Sequence, residues 1–221
     1  MEKLKLGNVF ILGDSYSTFD GYIPYGYASY YNRYDGQPTL SGVDKTWWMR
    51  LISESNGNLL LNSSWSGTTV CNTGYDGMDY SRISFVARMR SQLSDGNYNG
   101  EKIDTILIFG GTNDFWAGSP RGEIKYSDFS DEDLYCCYPA FSYMLDFLKK
   151  RFEKTEIICI INSDFSSDFG NSLVEICEHY GVDSVRLHDI DKQAGHPTEK
   201  GMKQISDQIS EFIKNKKETI L

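Results

Sequence analysis

Histidine is scarce in this chain: His179, His188 and His196 are the only three among 221 residues. Any chemistry that needs an imidazole must draw on that short set. Basic residues are also in the minority, 22 Lys and Arg against 31 Asp and Glu, for a net charge of −9. A nucleic-acid groove needs a basic stripe, and adsorption to anionic lipid needs the same sign, so neither partner is expected. No stretch approaches the ~20 consecutive apolar residues that span a bilayer. The five cysteines, Cys71, Cys136, Cys137, Cys159 and Cys177, show no C-x-x-C spacing. They read as reduced, mostly buried thiols, and neither a metal nor a cofactor is expected. With 5 prolines and 40% hydrophobic residues, the composition suits a filled globular core rather than disorder. The stretch Met1 to Gly7 lacks the apolar segment of a secretory signal. A cytoplasmic location is therefore expected unless a leader has been removed.

Short apolar runs recur with helical stretches between them, the pattern of an α/β protein whose parallel sheet is covered on both faces. The runs are Val9 to Leu12, Leu59 to Leu61, Ile103 to Phe109, Ile157 to Ile161 and a weaker Val182 to Leu187. Helical spacing appears over Lys45 to Ser55, through Trp48, Leu51 and Ile52, and over Tyr80 to Leu93, through Ile83, Val86, Met89, Arg90 and Leu93. Ser130-Asp131-Glu132-Asp133 resembles a helix start with an acidic first turn, leading through Tyr143, Phe147 and Leu148 toward Phe152. Asn171 to His179 reads as a shorter helix ended by Gly181. A last helix begins near Pro197 and aligns Met202, Ile205, Ile209, Phe212 and Ile213. Without repeats or linkers, residues 1–221 read as one domain. Two long irregular stretches, 16–43 and 115–129, follow strand ends and are expected to wall a site there.

Gly13-Asp14-Ser15 sits at the end of the first strand, where an open α/β sheet gathers its ligands. A serine hydroxyl attacks at neutral pH only if a base takes its proton. His179 lies in an amphipathic helix and His188 just after a strand, settings that suit surface or capping roles. His196, in Gly195-His196-Pro197 before the last helix, is better placed for catalysis. Gly67 follows Ser64-Trp65-Ser66, and Asn113 lies in Gly110-Gly111-Thr112-Asn113-Asp114 after the strong strand 103–109. Without a Cβ, Gly67 would let a substrate oxygen approach its amide. Asn113 supplies a neutral N–H donor. Asp14 and Asp114 read as loop-bracing acceptors.

Taken in chain order, Ser15, Gly67, Asn113 and His196 resemble the SGNH (GDSL-type) hydrolases, from Ser15 to the last helix. The resemblance implies a three-layer α/β/α fold with a five-stranded parallel sheet in flavodoxin-like order, and esterase activity. It implies Ser15 as nucleophile, His196 as base, and an oxyanion hole formed by the N–H groups of Ser15 and Gly67 and the amide of Asn113. One departure stands out. The family places an aspartate three residues before its histidine, and here that residue is Gln193. Glutamine cannot offset an imidazolium charge. Asp191 is favoured as the third member, reaching the ring through a flexible Ala194-Gly195 approach. Asp189 and a Ser–His dyad oriented by a backbone carbonyl are the alternatives.

Six of the 15 tyrosines lie between Tyr22 and Tyr34, and Trp65 and Trp116 flank the oxyanion residues as candidate substrate contacts. Trp47 and Trp48 are assigned to packing. Aromatic faces with polar tips suit sugars. The expected substrate is a short-acyl ester, an acetylated carbohydrate above others, with choline-ester, lysophospholipid and thioester substrates left open. A catalytically silent glycan-binding module is the competing reading. A nucleotide-binding domain is disfavoured, since no P-loop or dinucleotide fingerprint is present.

Overall fold

Strand β1 (Asn8–Gly13) is buried from Val9 onward, which is why it reads as an unbroken apolar run rather than an alternating one. It pairs in parallel with β2 (Asn58–Ser64) on one side and β3 (Thr105–Phe109) on the other. Next to β3 come β4 (Glu156–Ile161) and β5 (Asp183–Arg186), also parallel, so the sheet order is β2-β1-β3-β4-β5. The computed structural model describes residues 4–32 and 40–219, with side chains through 216. Tyr34, the last of the clustered tyrosines, lies outside the described residues.

Alternate side chains of the central strands enter two cores. Phe10, Leu12, Ile106 and Ile108 pack under α2 (Phe85–Gln92), α4 (Cys137–Arg151) and α5 (Ser167–His179). Val9, Ile11, Leu107 and Phe109 pack under α1 (Trp47–Glu54) and α6 (Glu199–Thr219). Each such side chain is worth roughly 1.5–3 kcal/mol of burial, so a one-residue slip of register would be prohibitive. Trp47 and Trp48 are fully buried and donate their indole N–H groups to the Oγ and carbonyl of Ser17, 3.2 and 2.9 Å away. Helix α1 is thereby fastened to the turn that follows β1.

Several boundaries differ from the sequence expectation, each for a local reason. Helix α2 starts at Phe85, not Tyr80, because Ser84 accepts the Ala87 N–H as its N-cap. The acidic segment near Ser130 forms only a 3-10 turn, Glu132–Tyr135. Helix α4 begins at Cys137, with Pro139 in the first turn, where a missing N–H costs nothing. Its free Cys137 and Tyr138 amides donate to the carbonyls of Pro120 and Arg121. The stretch 115–129 is not wholly irregular: α3 (Thr112–Ala117) carries Asn113 and ends at Gly118. Helix α5 begins at Ser167, four residues before the expected start.

The approach to His196 differs most. It is a hairpin of β6 (Lys192–Gln193) and β7 (His196–Pro197), with Gln193 paired to His196. Ala194 and Gly195, both at positive φ (48° and 76°), make its two-residue turn. Positive φ at both positions marks the turn type whose twist matches hairpin strands. A stretch that reads as flexible is a tight turn.

Candidate active site

The three strands that end beside one another, β2, β1 and β3, each lead directly into a candidate residue: Gly67, Ser15 and Asn113. This is the point where strand order reverses, the usual ligand crevice of open α/β sheets. After Gly13 the chain enters a 3-10 turn, Ser15–Ser17, capped by Asp14, whose Oδ1 accepts the Tyr16 N–H at 3.0 Å. Asp14 is fully buried, and burial pushes its carboxyl up to about 7, opposed by the Tyr16 N–H and the Arg88 guanidinium. Arg88 is buried as well. It donates to the carbonyls of Gly13 (3.1 Å) and Ser63, to the Thr68 hydroxyl (3.0 Å) and to the carbonyl of Ile83 (3.0 Å). Burial lowers its pKa to about 10, so it stays cationic at neutral pH. One guanidinium thus ties the ends of β1 and β2 to the Gly67 loop.

Across the crevice, His196 Nε2 lies 2.9 Å from Ser15 Oγ, and Nδ1 lies 3.2 Å from the Ala194 carbonyl. Asp191 is not on the ring, contrary to the expectation. Its carboxylate accepts the Thr198 hydroxyl and lies 3.8 Å from Lys200 Nζ, while its N–H donates to Gln204 Oε1 at 2.8 Å. The physical reason is the hairpin. Pairing of Gln193 with His196 turns the chain tightly, leaving Asp191 against the start of α6, where Thr198 accepts the Gly201 N–H. Asp189 pairs instead with the exposed His188, 3.0 Å away. His179 stacks on Tyr126, with centroids 3.7 Å apart. Burial lowers the His196 pKa below the ordinary 6.5; the Ala194 carbonyl opposes that shift and Lys192 adds to it. The imidazole is therefore neutral at pH 7 and able to accept a proton.

The donors converge from the other side. Among the described residues, neither the Ser15 nor the Gly67 N–H has a hydrogen-bond acceptor. Gly67 sits at φ +80°, and a Cβ there would meet nothing. Backbone conformation, rather than crowding, is what calls for glycine. Asn113 Nδ2 donates to the Thr68 carbonyl at 2.9 Å, which leaves its second N–H, and Tyr75 donates to Asn113 Oδ1 at 2.9 Å. That phenol sets which face of the amide carries the donors. Asp114 holds the same loop, accepting the Val70 and Cys71 amides at 2.7 and 3.1 Å.

Trp116 is 38% exposed, inclined at 64° to His196 with centroids 5.7 Å apart. Trp65 is half-buried and stacks on Tyr27 at 4.1 Å, so one face is already occupied. The sequence does not single out Arg88, Tyr75 or Lys192, and marks Tyr30 only as one of a cluster of tyrosines. Each acts through a partner distant in the chain, and no local pattern marks such a partner. Among the described residues no group of three or more His, Cys, Asp or Glu could hold a metal, and no helix is long and apolar enough to cross a membrane.

Known proteins share this arrangement of strands. The family model described as GDSL-like Lipase/Acylhydrolase matches residues 7–213. A crystal structure described as a GDSL-like lipase from Bacteroides ovatus is 45% identical, covers 97% of this chain and 100% of its own, and superposes with a TM-score of 0.88. A second, from Bacteroides uniformis, is 43% identical over 95% of this chain and 96% of its own, with a TM-score of 0.86. A family two carbohydrate esterase from Clostridium thermocellum, in complex with cellohexaose, shares the fold at 17% identity and a TM-score of 0.62, over 97% of this chain and 66% of its own. No curated protein matches. The sheet order, the match along 7–213 and the close structural relatives agree: this chain belongs to the GDSL-like lipase/acylhydrolase family.

Proposed function

We propose that the protein is a serine esterase that hydrolyses short-acyl esters, with O-acetyl groups on carbohydrate as the leading substrate class. The observation that carries this reading is the 2.9 Å contact between Ser15 Oγ and His196 Nε2. As Oγ attacks the ester carbonyl, Nε2 takes its proton. The carbonyl oxygen, now negative, is received by the N–H groups of Ser15 and Gly67 and the free N–H of Asn113. Collapse of the tetrahedral intermediate expels the alcohol, which takes the proton back from Nε2, and leaves an acyl-Ser15 ester. Water then attacks that ester with His196 again as base, and the acid departs. The Ala194 carbonyl orients the ring by accepting Nδ1–H. Ser15 and His196 thus work as a dyad.

Two features favour a small acyl group on a larger polar alcohol. Ser15 is 2% exposed, so only a slender acyl carbonyl reaches it. Trp116 and Tyr30 pack against His196, and such rings stack on sugar C–H faces. Turnover of p-nitrophenyl acetate exceeding that of the octanoate ester, abolished in Ser15→Ala and lowered by at least about 10³-fold in His196→Ala, is the expected result. A serine-directed fluorophosphonate should add once, at Ser15. Glycan binding without turnover of any ester would replace this reading with that of a silent binding module. Labelling that survives Ser15→Ala would refute the nucleophile.

A further inference from the structure

When His196 takes the Ser15 proton it becomes a cation, and the group facing its Nδ1 is an uncharged carbonyl. Among the described residues, Lys192 opposes that cation. Lys192 Nζ lies 5.2 Å from the centre of the Tyr16 ring, which itself packs on His196 with centroids 5.3 Å apart. That ammonium is largely neutralised by Asp164 at 2.6 Å and is held by Asn162 and Ser163 at 2.8 and 3.1 Å. Asp14 lies beneath the nucleophile turn, engaged with the Tyr16 amide. Among the described residues, four aromatic rings pack around the imidazole. Tyr16, Trp116 and Tyr31 approach at steep angles of 57°, 64° and 73°, whereas Tyr30 lies flat on it, centroids 3.6 Å apart and planes 8° from parallel.

The flat contact is built in by the backbone. The Tyr30 N–H donates to the Thr18 hydroxyl at 2.9 Å, and that hydroxyl donates to the Ser15 carbonyl at 3.0 Å. One residue on, the Tyr31 phenol donates to the Pro197 carbonyl at 2.8 Å. Tyr30 is thus fastened on one side to the nucleophile turn and on the other, through its neighbour, to the residue after His196. We propose that Tyr30 is the positioning residue that stands in for the missing triad carboxylate. Its ring face stabilises the imidazolium formed as Ser15 attacks, and its plane holds Nε2 toward Ser15 and Nδ1 toward Ala194. The negative face of an aromatic ring attracts a cation, and the attraction grows where water is excluded. This inference rests on His196 being the base.

The test is the pH dependence of kcat/KM for p-nitrophenyl acetate. Tyr30→Phe keeps the ring face and should retain activity and its acid limb. Tyr30→Leu keeps the bulk without the ring face. It should lose roughly 5- to 30-fold in kcat/KM, the size of a partly desolvated cation–π contact. Its acid limb should move to lower pH, because the imidazolium has lost a stabilising partner. Fluorinated phenylalanines at position 30 leave packing intact and weaken the ring face stepwise. Activity should fall with each fluorine, which keeps the proposal testable even if Tyr30→Leu does not fold. A rate loss with an unmoved limb, a limb that moves to higher pH through hydration, or indifference to fluorination would each overturn the proposal. His196→Ala separates the two claims. If it remains active, the base assignment itself fails; if it is inactive while Tyr30→Leu behaves as the parent, only the role of Tyr30 falls.

Discussion

The two walls of the crevice are built by different means. On the donor side, Ser15, Gly67 and Asn113 follow directly from β1, β2 and β3, whose register is locked by two buried cores. Buried polar side chains then secure the loops: Arg88 on the carbonyls of Gly13 and Ser63, Asp114 on the amides of Val70 and Cys71. On the base side, His196 rides on a hairpin of two residues per strand. It is held by a backbone carbonyl and packed rings, while Lys192 on the opposite strand of the hairpin pairs with Asp164. The donor side is scaffold with chemistry at its ends. The base side owes its geometry to contacts between segments far apart in the chain, and its parts should be separable by mutation.

The hardest test of that contrast is Arg88→Met. It takes the guanidinium from the buried Ser63 carbonyl and Thr68 hydroxyl and leaves the Gly13 carbonyl only the Trp65 N–H at 3.2 Å. A buried polar group stripped of its partner costs about 1–3 kcal/mol, so thermal or urea unfolding should show a loss of several kcal/mol. A variant as stable as the parent would mean the donor side is not braced in this way.

Asn113→Ala should fold and lose about 10²–10³ in kcat, the usual cost of one oxyanion donor, with KM changed far less. Steady-state kinetics on the acetate ester would decide it. A rise in KM at normal kcat would make Asn113 a substrate contact instead.

Lys192→Gln probes the base side through charge. In the proposed mechanism His196 must be neutral, so the rate should rise with pH through a pKa that lies below 6.5. Removing the ammonium, and leaving Asp164 without its cation, favours the protonated ring. The acid limb should therefore move to higher pH. A limb that stays or falls would place the lysine outside the electrostatics of the base.

The smallest effect is expected at Asp191. On an imidazole, the change to asparagine would cost about 10⁴ in kcat. Bound instead to Thr198 at the start of α6, Asp191→Asn should cost less than about tenfold in activity. A carboxylate near a helix N-terminus contributes about 0.3–1 kcal/mol, and that is the stability loss to look for. A loss of several thousandfold in kcat would return the carboxylate to the ring.

What could be read without the structure follows the same division. The five strands, their parallel pairing and the places of Ser15, Gly67 and Asn113 are local signals. An apolar run buried on both faces looks different from any other element, and the turn residues after it stand next to it in sequence. Boundaries failed where a cap or a distant carbonyl intervened, as Ser84 does for α2 and Pro120 for α4. The orientation of His196 was beyond reach. Asp191 is the nearest upstream carboxylate in the sequence, yet the direction of a side chain depends on the turn between them. Ala194 at positive φ is a state that alanine seldom adopts, and its identity does not announce it.

The sequence by itself determined the α/β class, the order of the chemical groups along the chain and the shortage of histidine that singles out His196. Those are properties of composition and short-range periodicity, which survive in a linear reading. Tertiary structure alone decided that a carbonyl rather than a carboxylate meets the ring, that Tyr30 lies flat upon it, and that Arg88 and Tyr75 hold the donors in place. Each is a contact between residues brought together by sheet register and loop packing. Their energies depend on distances and angles that no spacing along the chain encodes.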